Sequence, residues 1–223
     1  MPRPRLQPGP TPDLVALYTI AEAQLGHFTT EQATAAGFSA PLLHHHVRAN
    51  RFERVARGIY RLVQFPPGDH EDLMVAWLWS AAEGTFSHET ALSLHELSDA
   101  LPSRKHLTLP LRWKRRRVQA PPAVELYFAD LSPKARGWKG AVPVTVPLRT
   151  VLDCLRDHVD PMLVAQACEQ GLTRGLLDRD ELITALTAAG HDPRLILGRG
   201  RRLRVSRQHL GLIGPGGDRG VCR

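Results

Sequence analysis

Cysteine, methionine and aromatic residues are all scarce here: three Cys, three Met and 6% Phe, Trp and Tyr in 223 residues. Cys154, Cys168 and Cys222 are odd in number and lack C-x-x-C spacing, which argues for a reducing cytosol over a disulfide framework. No run approaches the ~20 apolar residues that span a bilayer, so no membrane partner is expected. The opening MPRPRLQPGPTPD has no apolar core of a secretory signal, and a cytoplasmic location is expected.

Catalytic signatures are absent too. The chain has no E-x-K, the carboxylate–lysine pair that a metal-dependent nuclease sets beside an Asp, although Glu125 and Asp130 lie on or beside a strand-like run. It has no G-x-S-x-G, P-loop or H-E-x-x-H. His44, His45 and His46 are consecutive, but on a helix they point about 100° apart and cannot converge on one ion. His88 and His95, two turns apart, are too distant for one ion without other ligands. The expectation is no enzyme, no cofactor and no metal.

What is present is basic charge, unevenly placed. The net charge is +7, and the segment from Arg194 to Arg223 holds eight arginines against Asp218, so the rest of the chain sums to about zero. A basic tail on a neutral body suits a polyanion, most often nucleic acid, though a solubilising end would read the same. With 43% hydrophobic residues, the body can bury one or two modest cores.

The chain divides in order. Residues 1–12 are a Pro-rich lead expected to be disordered. Asp13 is placed to cap a helix reaching about Leu25, with Leu14, Leu17, Ala21 and Leu25 at helical spacing. Thr29-x-x-Gln32 reads as a capping box, and Gly37 as the left-handed stop of that short helix. Ser39 caps a second helix to about Asn50, with Pro41 in its first turn. Two short helices around a Gly turn form a helix-turn-helix signature. Phe52 to Ala56, a turn at Arg57-Gly58, and Ile59 to Val63 complete a β-hairpin, with Phe52 and Ile59 or Tyr60 inward and arginines outward. Residues 13–66 therefore read as a winged helix-turn-helix, a module that sets one helix in a DNA major groove.

On that helix Leu43, His46 and Val47 share the inner face. Ser39, Ala40, Leu42, His44, His45 and Arg48 are candidates for the groove, with Ser39, His44, His45 and Arg48 facing bases. Thr30, Arg51, Arg54, Arg57 and Arg61 are candidates for phosphates or the minor groove.

Residues 69–192 read as a second, α+β domain with a small sheet and several helices, and 193–223 as a basic, largely disordered tail. Asp69 is placed to cap a helix from His70 to about Glu83, striped by Leu73, Met74, Trp77 and Leu78. Ser87 caps another, SHETALSLHEL. Strand-like runs cover Lys105–Leu111, Ala123–Ala129 and Val142–Val146. Arg112, Lys114, Arg115, Arg116 and Arg117 form a basic hairpin or loop after the first, a candidate second contact to nucleic acid or a partner. Helices are expected at Pro147–His158, from Asp160-Pro161 to Gly171, and from Asp178 to Gly190. Cys154 and Cys168 fall on apolar helical stripes as buried thiols.

Gly37-x-Ser39 through Arg54-Val55-x-Arg57-Gly58-Ile59-Tyr60 resembles the N-terminal winged helix of AbiEi-type antitoxins of type IV toxin–antitoxin systems. Ser87-His88-Glu89, Ala91-Leu92, Leu94-His95, Val142-Pro143-Val144-Thr145 and Arg149-Thr150-Val151-Leu152-Asp153 resemble that family's later motif blocks in the same order. The resemblance spans about Leu14 to Leu186. It implies a DNA-binding antitoxin that represses its own operon at double-stranded operator DNA, often inverted repeats, and counters a nucleotidyltransferase-like toxin, with or without direct contact. His44 and His45 stand where the family commonly has basic residues, and His46 where it has an apolar one, which admits some pH dependence. The alternatives are a protein-interaction module with the winged helix as scaffold, or a winged-helix-linked nuclease.

Overall fold

The structure is a computed structural model that describes residues 11–198. Most of the 1–12 lead and of the 193–223 tail lies outside the described residues. The fold is mixed α+β, as the sequence suggested, with two separate β-sheets. The backbone contacts divide it into two units, one ending at Ser87 but also taking in Pro102–Val146, the other made of His88–Leu101 and the chain from Pro147 onward.

The first unit opens with the winged helix. Helix α1 (Leu14–Glu22) is capped by Asp13, whose carboxylate accepts the Ala16 N–H at 2.9 Å. It stops before the expected Leu25, because Leu25 and Gly26 take φ of +52° and +81° and turn the chain into strand β1 (His27–Thr29). A side chain at Gly26 would also meet the Phe65 ring at 2.7 Å. Helix α2 (Thr30–Ala35) starts with the expected capping box: the Gln32 N–H donates to Thr29 Oγ1 at 3.2 Å, and the Thr29 N–H to Gln32 Oε1 at 2.8 Å. Gly37, at φ +85°, ends it as expected. Helix α3 (Ala40–Arg48) and strands β2 (Phe52–Ala56) and β3 (Ile59–Leu62) follow.

β1 pairs with β3 and β3 with β2, both antiparallel, setting Phe28 opposite Tyr60 and Phe52 opposite Leu62. Leu17, Ala21, Phe28, Phe38, Leu43, Phe52 and Leu62 form one buried core under this sheet. Phe28 meets the Phe52 ring edge-on at 5.1 Å and stacks on Tyr60 at 5.7 Å.

Helix α4 (Glu71–Trp79) belongs to the same unit. Its expected cap, Asp69, does not hold the helix end. His70 occupies the cap position at φ +67° with no side-chain bond to the first turn. Met74 and Leu78 pack with Ile59 of the wing in a second small core. The unit that holds the winged helix thus takes in α4 as well. Beyond α4 lies a five-stranded sheet in the order β6-β5-β4-β8-β7, made of β4 (Thr85–Phe86), β5 (Lys105–Leu109), β6 (Val124–Phe128), β7 (Arg136–Lys139) and β8 (Val142–Thr145). β5 and β6 run parallel. The segment between them is thus a crossover, not the hairpin the sequence allowed, because a hairpin joins only antiparallel strands.

The second unit is helical. Its elements are α5 (His88–Leu94), α6 (Pro147–Arg156), α7 (Pro161–Thr173) and α8 (Arg179–Ala188), with a further helical turn at 193–198. Asp160 and Asp178 cap α7 and α8 as expected. Leu92, Leu97, Val151, Cys154, Val164, Cys168, Leu182 and Leu186 make the core. Burial pushes both thiols up, Cys168 to about 12 and Cys154 further, which keeps them protonated and unreactive at neutral pH. Fully buried His88 joins its Nε2 to Asp157 at 2.7 Å, and Arg156 bridges Asp157 and buried Asp153. Arg149 Nε donates to Asp153 at 2.9 Å.

Candidate nucleic-acid interface

Helix α3 owes its start to Ser39, whose Oγ accepts the Leu42 N–H at 3.4 Å, and to Pro41, which sits where no amide partner is needed. It ends at Arg48, and Asn50, at φ +53°, turns the chain into the wing. The burial pattern fixes the helix rotation. Leu43 is buried at 2% and His46 at 9%, while Ser39, Pro41, His44, His45 and Arg48 are exposed. Pro41, His44, His45, Arg48 and Ala49 line one shallow depression. The structure thus brings His44, His45 and Arg48 together on one outer facet. Leu42, placed by the sequence among the groove candidates, packs instead against the core of the winged helix.

His46 lies beneath that facet. It stacks on Phe52 at 4.7 Å and meets the Phe38 ring edge-on at 5.6 Å. Its Nδ1 is buried without a partner among the described residues. Burial, with the Arg51 and His45 charges nearby, holds its pKa below the ordinary imidazole value. It therefore stays neutral and serves packing.

The wing places its arginines unequally. Arg51, at the entry, and Arg54 and Arg57, in the hairpin, are exposed, and none of the three makes an ion pair among the described residues. Exposed Glu53 sits among them as the one acidic side chain of β2. Arg61 departs from the outward placement expected of it. Its side chain is only 12% exposed, and Nη2 donates to Glu71 Oε1 at 3.1 Å and to the Phe65 carbonyl at 2.9 Å. Its position opposite Glu53 and next to Tyr60 in β3 turns it toward the start of α4, where the carboxylate holds it. Thr30 is likewise engaged: its N–H and its hydroxyl both donate to the Gly58 carbonyl, at 2.9 and 3.3 Å, tying α2 to the wing turn.

Glu71 was not legible as a site residue, because a lone acid at a helix start reads as ordinary dipole matching. Burial alone would raise its pKa, but the Gly68 N–H and the Arg61 guanidinium outweigh that and hold the carboxyl below its usual value.

The basic segment after β5 forms a tight 3-10 turn, Leu111–Arg115. Trp113 is buried and its Nε1 donates to Glu83 at 2.6 Å. Arg112 donates to the same oxygen at 2.6 Å, and the Arg116 guanidinium lies 4.5 Å over the Trp113 ring. Lys114, Arg115 and Arg117 stay exposed, with no ion pair among the described residues.

No helix among the described residues is long and apolar enough to cross a membrane. The crystal structure of RV2827C protein from Mycobacterium tuberculosis has a TM-score of 0.49 and 13% identity to this chain, over 88% of this chain and 78% of that one. No curated protein matches the sequence. A family model described as "Transcriptional regulator, AbiEi antitoxin" matches residues 16–63. The helix-turn-helix and its wing thus match the AbiEi antitoxin transcriptional regulators, the family to which the sequence motifs had pointed.

Proposed function

We propose that this protein is a sequence-specific DNA-binding antitoxin and autorepressor of a type IV toxin–antitoxin operon, countering a nucleotidyltransferase-like toxin in the cytoplasm. The observation that carries this reading is the exposed facet of α3, with His44, His45 and Arg48 outward, beside the exposed wing arginines Arg51, Arg54 and Arg57, which make no ion pair among the described residues. In a winged helix that arrangement sets α3 toward base edges and the wing toward phosphates. The match of residues 16–63 to a regulator family supports it. The proposed partners are double-stranded operator DNA, as inverted repeats, and the toxin, with no enzymatic activity of its own. The antitoxin role rests on the family resemblance and belongs to the chain beyond the winged helix.

The test is a gel shift at fixed salt with DNA from upstream of the protein's own gene and with a scrambled duplex. Specific retardation is expected. Arg48→Ala should cost about 1–3 kcal/mol on the upstream DNA and little on the scrambled duplex. Equal loss on both would remove base reading from Arg48. Rescue of growth when the neighbouring nucleotidyltransferase-like gene is co-expressed would test the antitoxin role separately.

A further inference from the structure

The outer facet of α3 is chemically one-sided. The helix sequence, APLLHHHVR, contains no Asn, Gln, Asp or Glu. Its exposed side chains are Ala40 and Pro41, which have no polar side-chain group, and His44, His45 and Arg48, with exposed Ala49 just beyond its end. Arginine offers five N–H donors and no acceptor. A neutral imidazole offers one of each, and a protonated one offers two donors.

In the major groove, cytosine presents a donor, which Asp or Glu would accept. Adenine presents an acceptor beside a donor, which Asn or Gln would match. Guanine presents two adjacent acceptors, N7 and O6, which arginine matches with two parallel bonds. A donor-rich facet without amide or carboxylate groups discriminates in favour of guanine.

Resting on the DNA-binding reading above, we propose that α3 reads a guanine-centred half-site. Arg48 donates to O6 and N7 of one guanine, and His44 and His45 donate to N7 or O6 of the purines beside it. Along the helix axis, His44 and Arg48 are four residues apart, about 6 Å. At about 3.4 Å per base step, the facet covers two to three successive base pairs. Asn50 does not change this reading, since it lies beyond the helix end in the turn to the wing. Ser39 adds a hydroxyl at the other end, its oxygen already accepting the Leu42 N–H.

The experiment selects bound duplexes from a random-sequence library with the full chain at fixed salt, and sequences them. The expected cores carry guanine at one position of one strand, with purines at the one or two positions beside it. Replacing those guanines with 7-deazaguanine, which lacks the N7 acceptor, should weaken binding about tenfold or more. Arg48→Ala should abolish the preference for guanine at one position while the protein still binds. Enrichment of an A·T-only core, or binding indifferent to 7-deazaguanine, would overturn the guanine reading and leave DNA binding standing. Failure to retain any duplex at low salt would overturn DNA binding itself, and this inference with it.

Discussion

Arg54 and Arg61 lie on the two strands of one hairpin, yet one is exposed and the other is clamped by a carboxylate. A reading with every hairpin arginine outward misses that the register sets these two on opposite faces, Arg54 opposite Tyr60 and Arg61 opposite Glu53, and that Glu71, which holds Arg61, comes after the hairpin and reaches it only once α4 has folded. The two variants should separate cleanly. Arg54→Ala should weaken binding to all duplexes and reduce the slope of log K against log salt by about 1, with little change in thermal stability. Arg61→Ala should leave the slope almost unchanged and lower stability by about 1.5–3 kcal/mol, since it removes charge-assisted bonds and strands a half-buried carboxylate. Salt titrations by fluorescence anisotropy and thermal melts of the same proteins check both.

His46 makes a second residue-scale case. Its folded pKa lies below the unfolded value, so its contribution is fully present above about pH 6.5. It is lost as pH falls below that, because the unfolded chain takes up the proton first. His27 and His88 are lowered in the same direction by their own burial. His46→Phe keeps a ring against Phe52 and removes the Nδ1 that has no partner among the described residues. Denaturant unfolding should show it at least as stable as the parent at pH 7.5, with a smaller loss between pH 6.5 and 5.

At the scale of elements, the helices and most of their caps were the legible part, Asp69 at the start of α4 aside. Asp13, Thr29 with Gln32, Ser39, Asp160 and Asp178 all act where their spacing places them, since a cap is decided within four residues of sequence. The strands β1, β4 and β7 were not legible. They run for three, two and four residues, too short to show alternation; β1 and β4 exist through partners far along the chain, while β7 pairs with β8 across the tight turn at Gly140. For the candidate interface, the rotation of α3 followed from Leu43 and His46 on one face. The engagement of Thr30 with Gly58 did not, because it depends on a contact across the fold. Helix α4 is the element whose contacts join wing and sheet in one unit. Met74 is fully buried against Ile59 and Leu78. Met74→Ala should therefore cost about 2–5 kcal/mol in chemical denaturation. It should also reduce DNA affinity at temperatures where the parent still binds fully.

For the whole molecule, the charge distribution sets the next test. Arg112 and Arg116 are engaged with Glu83 and Trp113, so only Lys114, Arg115 and Arg117 of the basic segment are available to a polyanion. A Lys114→Ala, Arg115→Ala, Arg117→Ala triple variant should melt within about 0.5 kcal/mol per position of the parent, as exposed substitutions do. If this segment touches DNA, the triple variant should reduce the salt slope by up to about 3. An unchanged slope would show that this segment does not contact DNA phosphates.

The helical unit is built from two pieces of chain, His88–Leu101 and the chain from Pro147 onward. During synthesis the first piece leaves the ribosome well before the second. Leu92, Leu97 and Ala100 must wait for Val151, Cys154 and Val164, their partners in the finished core, while residues 102–146 are added. At about 5–20 residues per second, that wait lasts some seconds. During it Leu92, Leu97 and Ala100 stand without their core, a natural client for a holding chaperone, and translation speed through residues 102–146 becomes a determinant of yield.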